Sequence, residues 1–188
     1  MKTRNFLAST FFALVFMVSH DALGQKEKTV TVGGAPMYPS KNIIENAVNS
    51  KEHTTLVAAV KAADLVETLQ GKGPFTVFAP TNAAFDKLPK GTVETLLKPE
   101  NKKLLQTILT YHVVAGNLSA ADLIAAIKKG NGKATLKTVS GGTLTAWMKG
   151  NEVYLTDENG KSAKVTIADV NQSNGVIHVI DAVVTPKS

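Results

Sequence analysis

The chain has no cysteine, which excludes a disulfide framework, a lipid-modified N-terminal thiol and thiol chemistry. Aromatic residues make up only 6% of it, with a single Trp, and no basic stretch is interleaved with them. The usual pattern of a nucleic-acid reader is therefore missing. The chain holds 4 histidines, none with carboxylates at ligand spacing or in an HExxH-like pair, so no metal site is indicated. Ser140-Gly141-Gly142 lacks the preceding glycine of a nucleophile elbow. Asp157-Glu158-Asn159-Gly160 has too few oxygen ligands for a calcium loop and reads as a hairpin turn. After the first residues, no apolar run is long enough to cross a bilayer. A hydrolase finds no motif here, and nothing asks for a cofactor.

What is present begins with an address. Lys2 and Arg4 precede an apolar run from Phe6 to Val18, and Ala22-Leu23-Gly24 puts small residues before Gln25. That order is a secretory signal peptide over residues 1–24, cleaved before about Gln25. The apolar run falls short of the ~20 residues of a membrane anchor, so no stable membrane insertion is expected after cleavage. The destination is secreted or periplasmic. An exported chain without disulfides relies on its own core, which the rest of its 188 residues suffices to build. The formal charge is +6, and +5 once Lys2, Arg4 and Asp21 are removed. Lysines are spread along the chain, grouped only at Lys26/Lys28, Lys102-Lys103 and Lys128-Lys129. This is a solvated, mildly basic surface or one that meets anionic polysaccharide or a membrane surface.

The stretch Gly73 to Phe85 organises the rest. Phe75, Val77 and Ala79 alternate with Thr76 and Phe78 between Pro74 and Pro80, which predicts a short strand. Thr81 or Asn82 then caps a helix carrying Phe85 and Leu88. Upstream, residues 25–36 are polar and glycine-rich and read as a flexible leader to a domain over residues 37–188. Short helices are expected after Ser40 or Asn42, from Thr54 or Thr55, and from Asp64 to Gly71. Downstream, Leu104, Leu105, Ile108 and Leu109 form a helical stripe running into a strand at Tyr111 to Gly116. Ser119 and Asp122 start a helix over Ala120 to Lys129. The period then changes from 3.6 to 2: strands at Ala134–Thr138, Leu144–Met148, Val153–Leu155 and Ala163–Ile167 are separated by hairpin turns. A last strand, Val176 to Val184, is apolar on both faces apart from His178 and Asp181. Helices first and a meander second predict an α+β domain.

Three stretches together resemble the fasciclin domain family. They are Thr76-Val77-Phe78-Ala79-Pro80-Thr81-Asn82 with Phe85, then Tyr111-His112 followed by Leu118 and Leu123, and then Asn174-Gly175-Val176-Ile177-His178-Val179-Ile180-Asp181. The resemblance covers about Tyr38 to Pro186, and the leader and single domain are similar to the small exported bacterial members. It implies a wedge of two β-sheets covered by several short helices. It also implies a non-enzymatic role in cell adhesion or extracellular-matrix contact, with a cell-surface or matrix protein or a polysaccharide as partner. In animal members a Tyr-His pair and an Asp-Ile pair are tied to integrin binding. Tyr111 and His112 match the first, and Asp169-Val170 occupies the second position with Val for Ile, after Ile167-Ala168. These four residues are the partner-binding candidates, although the animal ligand itself does not carry over. Phe78, Thr81, Asn82, Phe85, Asn174 and His178 are the structural motif residues. Some algal relatives bind carotenoids, so a carrier of a small apolar ligand such as a carotenoid or lipid is the alternative, with Met37, Trp147 or Met148 lining its groove.

Each marked residue also has a plain reading. His178, between Val176 and Ile180, is a neutral core imidazole with both nitrogens hydrogen-bonded, or else an acid–base or metal partner of His112. Asp181 alternates to the other face, which weakens a dyad. Tyr111-His112 closes a helix, where the dipole favours His, or forms a surface contact. Trp147 is a core edge or a stacking platform for a sugar ring or apolar ligand. Asn117 and Asn171 stand in formal glycosylation sequons but serve as turn and cap residues.

Overall fold

The computed structural model describes residues 27–187, so the expected signal peptide and its cleavage point lie outside the described residues. The strands are β1 (Val30–Val32), β2 (Ala35–Met37), β3 (Phe75–Pro80), β4 (Val113–Ala115), β5 (Lys133–Lys137), β6 (Thr143–Lys149), β7 (Glu152–Thr156), β8 (Ser162–Gln172) and β9 (Gly175–Ile180). The helices are α1 (Ile43–Ala47), α2 (Thr54–Ala62), α3 (Val66–Gln70), α4 (Asn82–Asp86), α5 (Thr92–Leu96), α6 (Lys102–Tyr111) and α7 (Ala120–Lys129), with one 3₁₀ turn at Pro99–Asn101.

Seven strands form one sheet in the order β4-β3-β9-β8-β7-β6-β5. Every neighbouring pair is antiparallel except β3 and β9, which run parallel from Phe75↔Gly175 to Pro80↔Ile180. The two sheets of the expected wedge are its two halves, joined through the long β8. That strand pairs with β7 near its start and with β9 over most of its length, with register shifts between Val165 and Val170 that bend it. The bend carries the two edges towards each other, and Val114 of β4 bridges Thr138 just past β5.

Apolar side chains divide accordingly into two cores. Val77 and Ala79 of β3 and Ile177 and Val179 of β9 pack under α1, α2, α3 and α6, against Ile44, Leu56, Val60 and Leu109. Phe78 and Ile180 point to the other face, into the wedge, where Leu123 and Ile127 of α7 meet Leu136, Leu144, Ala146, Leu155 and Ala163. The alternation in Phe75–Pro80 therefore does not separate core from solvent. It separates two cores, and β3 is buried on both faces apart from Phe75.

Three local expectations change. Residues 30–36 of the expected flexible leader form the β1–β2 hairpin, in register Val30↔Met37. Gly33 and Gly34, the two-residue connection, have φ of 56° and 78°, the positive pair a type I′ turn requires. Pro36 is accommodated because the hairpin is a separate two-stranded ribbon with free outer edges. Val32 and Met37 are buried in the helix-covered core. The long helix continues through Tyr111, and the strand begins only at Val113. β8 runs on past Ile167 through Asp169 and Val170 to Gln172.

Met37 is 3% exposed. Met37→Ala should therefore destabilise the protein by about 2–5 kcal/mol in urea unfolding; an unchanged midpoint would return this segment to a loose leader.

Candidate functional site

The motif residues converge at the start and end of the β3–β9 pair. A Cβ on Gly73 would lie 1.9 Å from the Asn174 carbonyl oxygen, and one on Gly175 would lie 2.0 Å from that of Phe75. Only glycine lets the two backbones approach so closely. Asn174 sits beside this contact. Its Oδ1 accepts from the Ile43 backbone N–H at 3.0 Å, and its Nδ2 donates to the Leu69 and Gly71 carbonyls at 2.8 and 3.0 Å. One side chain thus satisfies the open start of α1 and the open end of α3.

Asn82 performs the same service at the other end of the strand. The cap of its own helix is Thr81, whose hydroxyl accepts from Ala84 N–H at 3.2 Å. The Asn82 Oδ1 instead accepts from Thr55 N–H at 3.0 Å, and its Nδ2 donates to the Lys51 carbonyl at 2.9 Å. Since His53 at the start of α2 provides no side-chain cap, Asn82 caps that helix from a distant part of the chain. Phe85, partly buried, packs on the helix-covered core.

His178 is fully buried and stacks on Phe78 with ring centroids 5.6 Å apart. Its Nε2 donates to the Leu118 carbonyl at 2.8 Å, and its Nδ1 accepts from Asp169 N–H at 3.3 Å. Asp169 lies in the bulged part of β8 with φ of 56°. Its carboxylate accepts from Ala120 N–H at 2.7 Å, at the start of α7. His178 and Asp169 therefore tie β9, β8 and the α7 entry together. Burial holds the His178 pKa below its ordinary value, as suits a neutral ring with one donor and one acceptor nitrogen.

Tyr111 and His112 face inward as well. The Tyr111 hydroxyl donates to the Thr143 carbonyl at 2.5 Å and accepts from Glu158 N–H at 3.2 Å; burial pushes its pKa up to about 12. His112 Nδ1 donates to the Ile108 carbonyl at 2.8 Å, and Nε2 accepts from Val184 N–H at 3.3 Å. Burial lowers its pKa to about 4. Val170 is buried too, at 1% exposure. Of the four partner-binding candidates, only Asp169 reaches the surface, beside a depression that includes Lys28, Ser119 and Asn171. The two histidines have separate partners, and each is committed to backbone groups.

Two buried polar groups have roles that the sequence did not reveal, His53 and, beyond its hairpin turn, Asp157. Asp157 accepts from Asn159 and Lys161 N–H within its turn and from Thr185 N–H at 2.9 Å, which pins the C-terminal segment. His53 Nδ1 pairs with the Ser50 hydroxyl at 2.8 Å, while its Nε2 has no hydrogen-bond partner among the described residues. His53 borders an apolar cavity of about 80 Å³ under the helices, which Met37, Ile44, Leu56 and Val60 also line. Trp147 and Met148, expected beside Met37 in an apolar groove, are not among its lining residues.

Comparison with known proteins agrees with this arrangement. The fasciclin domain family model matches residues 51–186. Protein sll1483 of Synechocystis sp. is 47% identical over 182 residues, 96% of this chain and 94% of that protein. The immunogenic protein MPB70 of Mycobacterium bovis is 39% identical over 145 residues, 74% of this chain and 66% of that protein. Among solved structures, a FAS1 domain pair from the insect cell adhesion molecule Fasciclin I is similar in fold, with a TM-score of 0.68 at 18% identity. That match covers 83% of this chain and 57% of the solved one.

The buried histidines give stability a pH dependence. His53, His112 and His178 all have folded-state pKa values below the ordinary 6.5. The unfolded chain therefore binds more protons below that pH, and stability falls with acidification from about 6.5 towards 4. For His112 alone the loss between pH 7 and pH 5 should be on the order of 2 kcal/mol. That window lies above the lowered carboxylate pKa values of Asp122, Glu152 and Glu158. Urea unfolding at the two pH values should show a smaller difference for His112→Gln than for the wild type, even if the variant starts less stable. An equal difference would mean that folding leaves the His112 pKa unshifted.

Proposed function

The chain belongs to the fasciclin domain family, and on that premise we propose that it is an exported, non-enzymatic adhesion or matrix-contact domain. Its partner in this reading is a cell-surface or matrix protein or a polysaccharide, met outside the cytoplasm in the periplasm or medium. One observation carries the reading. Asn82, Asn174, Tyr111, His112 and His178, the polar residues that mark the family resemblance, are engaged with backbone groups that hold elements together. Such residues preserve a scaffold, and a scaffold acts through the surface it presents. The structural likeness to a domain pair from an insect cell adhesion molecule supports the same direction. Where the Asp169-Val170 segment meets a partner, Asp169 makes the contact, because Val170, Tyr111 and His112 are covered.

The mature protein should bind cells or exopolysaccharide of its source organism in a sedimentation assay, and a deletion strain should adhere less. Normal adhesion by that strain, with no binding to either material, defeats the reading.

The cavity under the helices favours a second reading, the carrier of a small apolar ligand. Its size limits the cargo. An apolar cavity of about 150 Å³ is what holds a benzene, so the roughly 80 Å³ here admits a carotenoid or acyl chain only if α1–α3 swing away from β3. Solvent extraction of protein purified from its native source should yield no stoichiometric pigment or lipid under the adhesion reading; finding one would establish the carrier.

A further inference from the structure

Among the described residues, no helix packs over the outer face of β5–β8. α7 packs on the inner face, where Leu136, Leu144 and Ala146 lie. Across the outer face the strand registers place four residues in a row, Lys133↔Trp147↔Tyr154↔Lys164. Beside it runs a row of hydroxyls, Thr135↔Thr145↔Thr156↔Ser162. At about 4.8 Å per strand, each row spans roughly 14 Å, room for a short oligosaccharide.

Trp147 and Tyr154 are partly exposed and stacked, with ring centroids 4.9 Å apart and planes 22° from parallel. Both rings are fixed by hydrogen bonds: the indole Nε1 donates to Thr156 Oγ1 at 2.8 Å, and the phenol donates to Glu152 at 2.9 Å. Tyr154 covers one face of the indole. On its other side in the row stands Lys133, which is exposed and makes no salt bridge among the described residues. Lys164, by contrast, is paired with Glu152. The outward positions of these strands carry Lys133, Lys137, Lys149 and Lys164 against the single carboxylate of Glu152.

We infer that this face binds a carboxylated polysaccharide, with a sugar ring stacked on Trp147 and its carboxylate met by Lys133. The assignment rests on the proposed adhesion role and gives that role a site and a ligand class. A rigid, partly exposed aromatic face provides stacking at little entropic cost, the Thr135 and Thr145 hydroxyls can meet sugar hydroxyls while Thr156 and Ser162 bond each other, and the excess of lysine selects an acidic chain over a neutral one. A cross-strand aromatic pair stabilises a sheet by itself, but that function requires neither the exposed lysine beside it nor the hydroxyl row.

The single Trp of the chain makes the test direct, since all indole emission reports this site. Titration of the full mature protein with sodium alginate should shift or quench that emission. The response should weaken as salt rises and be absent with dextran, a neutral polymer. Lys133→Glu, a change at an exposed position, should weaken alginate binding about tenfold by sedimentation while leaving the unfolding midpoint unchanged. Trp147→Thr should do the same to binding, with its fold checked by circular dichroism. Alginate binding with no emission change, or undiminished in Lys133→Glu, overturns the site and leaves the adhesion reading standing. An equal response to dextran overturns the ligand class. Binding to cells but not to alginate overturns the inference alone, whereas binding to neither cells nor exopolysaccharide removes the adhesion reading as well.

Discussion

The close backbone contact between β3 and β9 is the constraint on which the other elements depend. Parallel strands cannot be joined by a turn, and here nearly a hundred residues, Thr81 to Asn174, form the connection between the two. β4 through β8 and α4 through α7 are all part of that crossover, so their positions are fixed only when Phe75 lies against Gly175. Two glycines at the point of approach, Gly73 and Gly175, remove the side chains that would hold the backbones apart. Contacts so distant in sequence are costly in loop entropy until they form, which explains why the pair is reinforced at both ends.

That reinforcement is polar. Asn174 at one end bridges α1 and α3, and Asn82 at the other ties the start of α2 to the turn before it, all remote in sequence. His178 adds a third link, through Asp169, to the start of α7. A single such hydrogen bond contributes only about 0.5–1.5 kcal/mol, whereas a buried group left without its partner costs about 1–3. The clamps therefore act chiefly by exclusion: any arrangement that separates β3 from β9 leaves the start of α2 and the end of α3 without these partners, whereas α1 keeps its own capping box at Asn42. α1, α2 and α3 are all short and gain little from helix propagation, so they depend on such caps.

The fold was legible where signals are local. The capping box at Ser119 and Asp122 placed α7 over Ala120–Lys129, as observed, and the period-2 pattern located the meander strands. Legibility ended where a partner lies far away in the chain. Asn82 reads locally as a cap for the helix it begins, yet it caps α2, because Thr81 already fills the local role. Tyr111 and His112 read first as the close of a helix and second as a surface pair; what engages them is the Thr143 carbonyl and the Val184 N–H, from a strand and a tail that no spacing rule connects to them. The leader looked flexible because glycine and proline are common in both coils and tight hairpins. Burial of Val32 and Met37 against helices that follow them decides between the two.

The two halves of the sheet are treated unequally, and this asymmetry separates scaffold from surface. On one half, helices α1–α3 and α6 cover the outer face; of the motif residues Phe78 and His178 are buried, while Thr81, Asn82 and Asn174 are half-buried and spent on helix ends and turns. On the second half the wedge interior is filled by α7 and the outer face is left bare. The residues that must be preserved to keep β3 against β9 are thus not those a partner can touch. Substitutions on the bare face alter only exposed or half-exposed side chains whose backbone pairing is already satisfied within the meander, so they change what the surface presents without disturbing the pair on which the fold depends. A scaffold built this way can hold its architecture while its contact face is redrawn, and the aromatic and lysine row across β5–β8 is where this chain departs from an ordinary solvated sheet.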